Sequence, residues 1–132
     1  MQTTITKISA APAYTTLACT DIDRAVTFYR DTLGFGVESL TNRGGGWMVH
    51  CGQGTGLSLY ERSAPPECDT TAATFVVEDL EGAMDDLRGH GVRFEEYDLP
   101  YLKTVRGVAI QGPSKACWFK DPDGNILSLV QM

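Results

Sequence analysis

Along residues 126–131 two sets of side chains alternate. Ile126, Ser128 and Val130 fall on one side, Leu127, Leu129 and Gln131 on the other. This is the period of a strand. Asp121-Pro122-Asp123-Gly124-Asn125 precedes it and supplies turn chemistry: Pro sets φ, Gly accepts positive φ, and Asp and Asn cap nearby backbone. The tail from Cys117 to Met132 therefore reads as strand, tight turn, strand. A helical period appears twice. Ile22, Val26, Tyr29 and Leu33 share one face, flanked by Ala25, and Leu80, Ala83, Met84 and Leu87 share another. Asp21 and Asp79 stand at the N-cap positions of these helices. Gly34 and Gly89 stand where helix-ending glycines belong.

The two patterns are copies of one unit. Thr16–Ala25 aligns with Thr74–Ala83, each a strand followed by a capped helix. Gly-Val follows both helices, at Gly36-Val37 and Gly91-Val92. Gly56-Leu57-Ser58-Leu59-Tyr60 matches Ile126-Leu127-Ser128-Leu129-Val130. The second copy carries extra residues between Val92 and Leu127, which places a long hairpin loop or flap around 97–113. Each copy reads as strand, helix and about three strands. The fold expected is α+β: two tandem βαβββ modules, about 13–62 and 70–132 of a single domain over 1–132, with helices on the outer face of a curved mixed sheet.

Composition narrows the partners. The chain has 132 residues, 42% hydrophobic and 21% charged, with a net charge of −6 and no basic stripe, which argues against nucleic acid. No apolar run reaches the ~20 residues of a membrane span. Met1-Gln2-Thr3-Thr4-Ile5 lacks the charged and apolar regions of a signal peptide. Cys19, Cys51, Cys68 and Cys117 form no CxxC pair, and three of them fall in expected strands, so we expect free thiols and a cytoplasmic setting.

The segments LACTDIDRAVTFYRDTLGF (17–35), FVVEDLEGAMDDLRGHGVRFEEYDLP (75–100) and WFKDPDGNILSLVQ (118–131), in this order and on a repeat, resemble the vicinal oxygen chelate superfamily. That superfamily includes glyoxalase I, extradiol dioxygenases and the bleomycin-resistance proteins. The resemblance covers about residues 13–131. It implies strands curved around a shared cavity, commonly completed in a dimer. In the metal-dependent relatives four strand positions supply His, Glu or Gln to a divalent ion. Counting back from Asp21 and Asp79, and taking the last strand of each module, those positions here are Tyr14, Ser58, Ala72 and Ser128. Ser128 thus stands where metal-binding relatives carry Glu. Hydroxyls and a methyl group do not form the imidazole, carboxylate or thiolate set such an ion needs, so no metal and no cofactor are expected.

Strand parity assigns a cavity face. Tyr14, Thr16 and Ala18 share it with Ser128, as do Ala72, Thr74 and Val76, and in the closing hairpin Trp118, Lys120, Ile126 and Val130. Phe119, Leu127 and Leu129 should face the helices. In the first module Ser58 and Tyr60 share a face; an ungapped alignment adds Met48 and His50 and turns Trp47 away, although Gly44-Gly45-Gly46 could shift that strand by one. Candidate ligand-binding residues are therefore Tyr14, Thr16, Trp47, Met48, His50, Ser58, Tyr60, Thr74 and Trp118, with Ser128 and, on the flap, Tyr101. His50 is the one candidate general base, and no second member of a triad is visible. His90 reads as a residue at a helix end, and Asp121 and Asp123 as turn caps.

Aromatic walls with a few hydroxyls suit a flat, largely apolar or aromatic small molecule. The expected function is a metal-independent binding protein of the bleomycin-resistance type, with antibiotic sequestration as one form of it, acting as a homodimer. The alternative is a glyoxalase-like lyase, isomerase or dioxygenase-type enzyme using His50 or Tyr14, or an unconventional metal site.

Overall fold

The computed structural model describes residues 6–40 and 46–132. The segment Met1–Ile5 and the glycines Gly44 and Gly45 lie outside the described residues. Two four-stranded mixed sheets form. In the first, β1 (Thr15–Cys19), β2 (Gly36–Ser39), β3 (Trp47–His50) and β4 (Gly56–Glu61) lie in the order β1-β4-β3-β2. In the second, β5 (Thr71–Val76), β8 (Ala109–Gln111), β9 (Ser114–Lys120) and β10 (Ile126–Gln131) lie in the order β5-β10-β9-β8. A small hairpin, β6 (Asp98–Leu99) and β7 (Leu102–Lys103), stands apart. In each sheet the outer strand pairs in parallel with the last strand, because a helix crosses between the first strand and the next.

The helix between β1 and β2 begins as α1 (Ile22–Thr27) and continues as a π-helical turn, Phe28–Thr32. Asp21 caps it, its Oδ1 accepting from the N–H groups of Asp23 and Arg24 at 3.1 and 3.2 Å. Asp79 caps α2 (Leu80–Gly89) through the N–H of Gly82 at 3.1 Å. Gly34 ends the first helix at φ +86°. Gly89, by contrast, is still helical. His90 is the C-cap and Gly91 takes the left-handed position at φ +89°. Gly91 N–H then reaches the Arg88 carbonyl and Val92 N–H the Leu87 carbonyl, both at 3.0 Å, which closes a Schellman motif.

The helices lie on one side of the sheets. Leu17, Val49, Leu57 and Leu59 of the first sheet and Cys117, Phe119, Leu127 and Leu129 of the second share one buried cluster with Tyr29, Leu80 and Met84. Phe35 stacks on Phe75 at 5.4 Å, so the core runs across both halves without a break.

The turn between β9 and β10 does more than reverse the chain. Asp121 Oδ1 accepts from the N–H groups of Asp123 and Asn125, each at 2.9 Å, as turn chemistry requires. Its Oδ2 accepts from Tyr29 Oη and Asn125 Nδ2, each at 2.8 Å. Asp123 Oδ1 accepts from Thr20 N–H at 2.9 Å, from Thr20 Oγ1 at 2.7 Å and from Arg24 at 3.0 Å. Asn125 Nδ2 also donates to the Ala18 carbonyl at 2.9 Å. All three turn residues are buried. The turn is a polar strut that locks the second sheet to the β1–α1 corner of the first. Burial and the adjoining Asp121 carboxylate push the Tyr29 phenol far above its ordinary range and keep it a proton donor.

Candidate functional site

Register places the side chains. In the first sheet Thr16 lies beside Ser58, and Ser58 beside Met48. In the second, Thr74 lies beside Ser128, and Ser128 beside Trp118. Cross-strand partners point to the same side. Each sheet therefore carries a matching row, Thr16-Ser58-Met48 and Thr74-Ser128-Trp118, on the side away from the helices. Trp47 pairs with Leu59 and packs on the core, so β3 presents Met48 and His50 to this face and not Trp47. Phe119, Leu127 and Leu129 face the helices, as their parity requires.

The face is open. Tyr14, Tyr60 and Val76 are 49%, 42% and 66% exposed. In the first row Ser58 Oγ donates to Thr16 Oγ1 at 3.1 Å. In the second, Ser128 is 4% exposed, and its hydroxyl reaches only the Leu129 carbonyl, at 3.4 Å.

Two close approaches shape the walls. A Cβ on Gly56 would stand 2.8 Å from the Val49 carbonyl, 3.2 Å from Met48 Sδ and 3.3 Å from Tyr14 Cε1. Only glycine lets Tyr14 and Met48 settle together over this strand end. On the second sheet the Tyr97 ring meets Trp118 edge-on at 5.6 Å. Tyr97 begins an ordered arm: its N–H donates to Thr104 Oγ1 at 2.8 Å, its carbonyl accepts from Thr104 N–H at 2.9 Å, and the Glu96 carboxylate accepts from Thr104 Oγ1 and from Gly107 N–H. The 97–113 segment thus folds as a hairpin followed by the edge strand β8. Tyr101 sits at the hairpin tip, 80% exposed.

His50 Nε2 stands 3.1 Å from Glu38 Oε1, both side chains about half exposed. Glu38 lies beside Met48 in the register, hence on the same face. His90 Nδ1 meets the Asp86 carbonyl at 2.9 Å and belongs to the end of α2. Cys19 and Cys117 are buried, and burial pushes each thiol up to about 11; burial also raises Cys51, which lies just past β3. None of these three is a ready nucleophile at neutral pH. Cys68 is exposed, and its hydrogen bond with Thr70 lowers its thiol.

The metal implied by the sequence resemblance does not fit. Its four positions hold Tyr14, Ser58, Ala72 and Ser128, the first two at the first sheet and the others in the second. None carries an imidazole, carboxylate or thiolate. No group of three or more His, Cys, Asp or Glu residues placed to hold an ion occurs among the described residues.

Glu38, Tyr97 and Gly56 were not singled out in the sequence. Glu38 and Tyr97 emerge only from register and packing. Gly56 had a signal, since it stands where the other copy has Ile126.

Residues 11–129 match the family profile described as Glyoxalase/Bleomycin resistance protein/Dioxygenase superfamily. No curated protein matches the chain. Solved structures do. A member of the glyoxalase/bleomycin resistance protein/dioxygenase superfamily from Sphaerobacter thermophilus DSM 20745 is 25% identical, with a TM-score of 0.68 over 95% of this chain and 100% of that one. SMU.1112c is 26% identical, with a TM-score of 0.68 over 94% and 99%. TnmS3, an antibiotic binding protein from Streptomyces sp. CB03234, is 22% identical, with a TM-score of 0.61 over 92% and 97%, a likeness of fold. No helix among the described residues is long and apolar enough to cross a membrane.

Proposed function

Since this chain belongs to the glyoxalase/bleomycin resistance protein/dioxygenase superfamily, we propose that it is a metal-independent binding protein for a flat, largely apolar or aromatic small molecule. The observation that carries the reading is the content of the sheet face. Tyr14, Ser58 and Ser128 hold three of the ligand-equivalent positions there, the fourth, Ala72, sits at the register break of β5 against the core, and Tyr60, Met48 and Trp118 supply apolar and aromatic area around the hydroxyls. That lining favours stacking with a few orienting hydrogen bonds over Lewis-acid chemistry. The fold it shares with the antibiotic binding protein TnmS3 is consistent with sequestration of an antibiotic. A second copy of the chain covers the open face in this reading, making a homodimer.

The test follows Trp118 fluorescence in a Trp47→Phe protein, with bleomycin and mitomycin C as first probes. The expected result is saturable quenching at one molecule per chain, unchanged by chelator, with the compound recovered intact. Conversion of the compound, or quenching that needs a divalent ion, would overturn the reading.

A second reading rests on the His50–Glu38 pair, a base with an orienting carboxylate on the same face. It is an isomerase or lyase, and its test is turnover lost in His50→Ala with ligand binding kept.

A further inference from the structure

The duplication offers an internal comparison. In the second half the turn Asp121–Asn125 fills the junction with the first half, bonding to Ala18, Thr20, Arg24 and Tyr29. Its counterpart is the turn Cys51-Gly52-Gln53-Gly54-Thr55, and the counterparts of Thr20 and Tyr29 are Glu78 and Leu87. Here the strut is missing. Every carboxylate and amide of the filled junction is replaced: Asp121 by Cys51, Asp123 by Gln53, Asn125 by Thr55. Among the described residues no hydrogen bond joins this turn to Glu78 or α2; Thr55 bonds only within the turn, to Gly52 and Cys51.

What remains is an open groove of about 900 Å³, lined mainly by helix-side residues such as Leu57, Ala83 and Leu87 and reaching Thr74 and Val76 of β5. The stacked rings of Phe35 and Phe75, with Leu57 and Leu87, give it an apolar wall. Gln53, Thr55, Glu78 and Asp86 are its polar lining residues beside the turn and α2. No Lys, Arg or His lines it, and neither carboxylate enters an ion pair among the described residues. Gln53 holds a left-handed backbone, φ 57° and ψ 37°, a conformation non-glycine residues rarely keep without a reason.

We propose that this groove is a second binding site, for a small organic cation with a flat apolar body. The stacked phenylalanines give the body its contact area, and the two unpaired carboxylates, in a chain of net charge −6, select the positive charge. The site is distinct from the one centred on Ser58 and Ser128: neither serine lines it, and the two meet only at Thr74 and Val76 of β5.

The probes are 9-aminoacridine, a flat monocation at neutral pH, and 9-anthracenecarboxylate, an anion of similar shape. Each is titrated into the 15N-labelled chain. The cation is expected to shift the amides of Gln53, Thr55, Glu78 and Leu87. Glu78→Gln with Asp86→Asn, two exposed substitutions, should weaken it roughly three- to tenfold, as the loss of two partly screened charge contacts requires. Ala83→Phe, which fills the groove from α2, should abolish these shifts and leave the Trp118 quenching of the sheet face intact. Shifts confined to Ser58, Trp118 and Ser128 would overturn the proposal, as would equal binding of the anion or no shifts at saturating cation. Concentration-dependent broadening of the groove amides without probe would mean a second copy sits there, and would overturn it too.

Discussion

Tyr29→Phe removes one oxygen from the middle of the molecule. The side chain is fully buried, and its hydroxyl donates to Asp121 Oδ2 at 2.8 Å. The substitution keeps the ring and opens no cavity large enough to matter. What it leaves is a buried carboxylate oxygen with one donor, Asn125 Nδ2, where it had two. Hydrogen bonds to charged groups contribute about 1.5–3 kcal/mol. For a chain of this length that lowers the melting temperature by about 5–10 °C. The control is Tyr60→Phe, whose ring is 42% exposed, with an expected change under ~0.5 kcal/mol. Urea unfolding read by tryptophan fluorescence gives the number, and the two tryptophans add a second readout. Trp47 reports the first sheet and Trp118 the second. In single-tryptophan proteins the wild-type transitions should coincide, because the strut couples the halves. Tyr29→Phe should shift both midpoints together. A loss below ~0.5 kcal/mol would refute the claim that this contact anchors the strut. Separate transitions in the wild type would refute the coupling itself.

Further outcomes can be checked directly. Gly56→Ala drives a methyl group to 2.8 Å from the Val49 carbonyl and should cost about 1–3 kcal/mol by thermal melting, while displacing Tyr14 and weakening ligand binding. Stability should fall on the alkaline side. Cys19 and Cys117 sit near 11 in the folded chain against an ordinary value of 9.0, and Tyr29 lies above its ordinary 10.0, so their contribution is complete below pH 9 and is lost as pH climbs through 9 to 11 and beyond. Melting curves across pH 8–12 test this, and Tyr29→Phe should flatten the part above pH 10. Val76→Ser, on the open face at 66% exposure, should change monomer stability by less than ~0.5 kcal/mol yet weaken self-association in sedimentation measurements.

Local chemistry was legible in the sequence where the cause is local. The N-caps at Asp21 and Asp79, the buried helix faces and the turn before β10 rest on contacts a few residues apart. The face carrying Ser58, Thr74, Trp118 and Ser128 was legible too, since strand parity is strict once a register is anchored. The tertiary roles of Asp121 and Asp123 were not. Their local signal is turn capping, which they do perform, and it hides partners such as Tyr29, 92 residues away. Glu38 needed the β2–β3 register before it could be paired with His50. Tyr97 needed the fold of its arm to meet Trp118. The groove beside the 51–55 turn comes from the packing of two halves, which no single segment encodes. Gly91 in place of Gly89 is a smaller lesson: two glycines flanking His90 both suit a helix end, and the Schellman geometry decides between them.

The most direct test is native mass spectrometry of the purified protein, before and after incubation with a small-molecule extract of its source organism. The account predicts a metal-free dimer that gains one unaltered organic mass per chain. A stoichiometric divalent ion in the starting protein, or a bound mass corresponding to a converted compound, would contradict it.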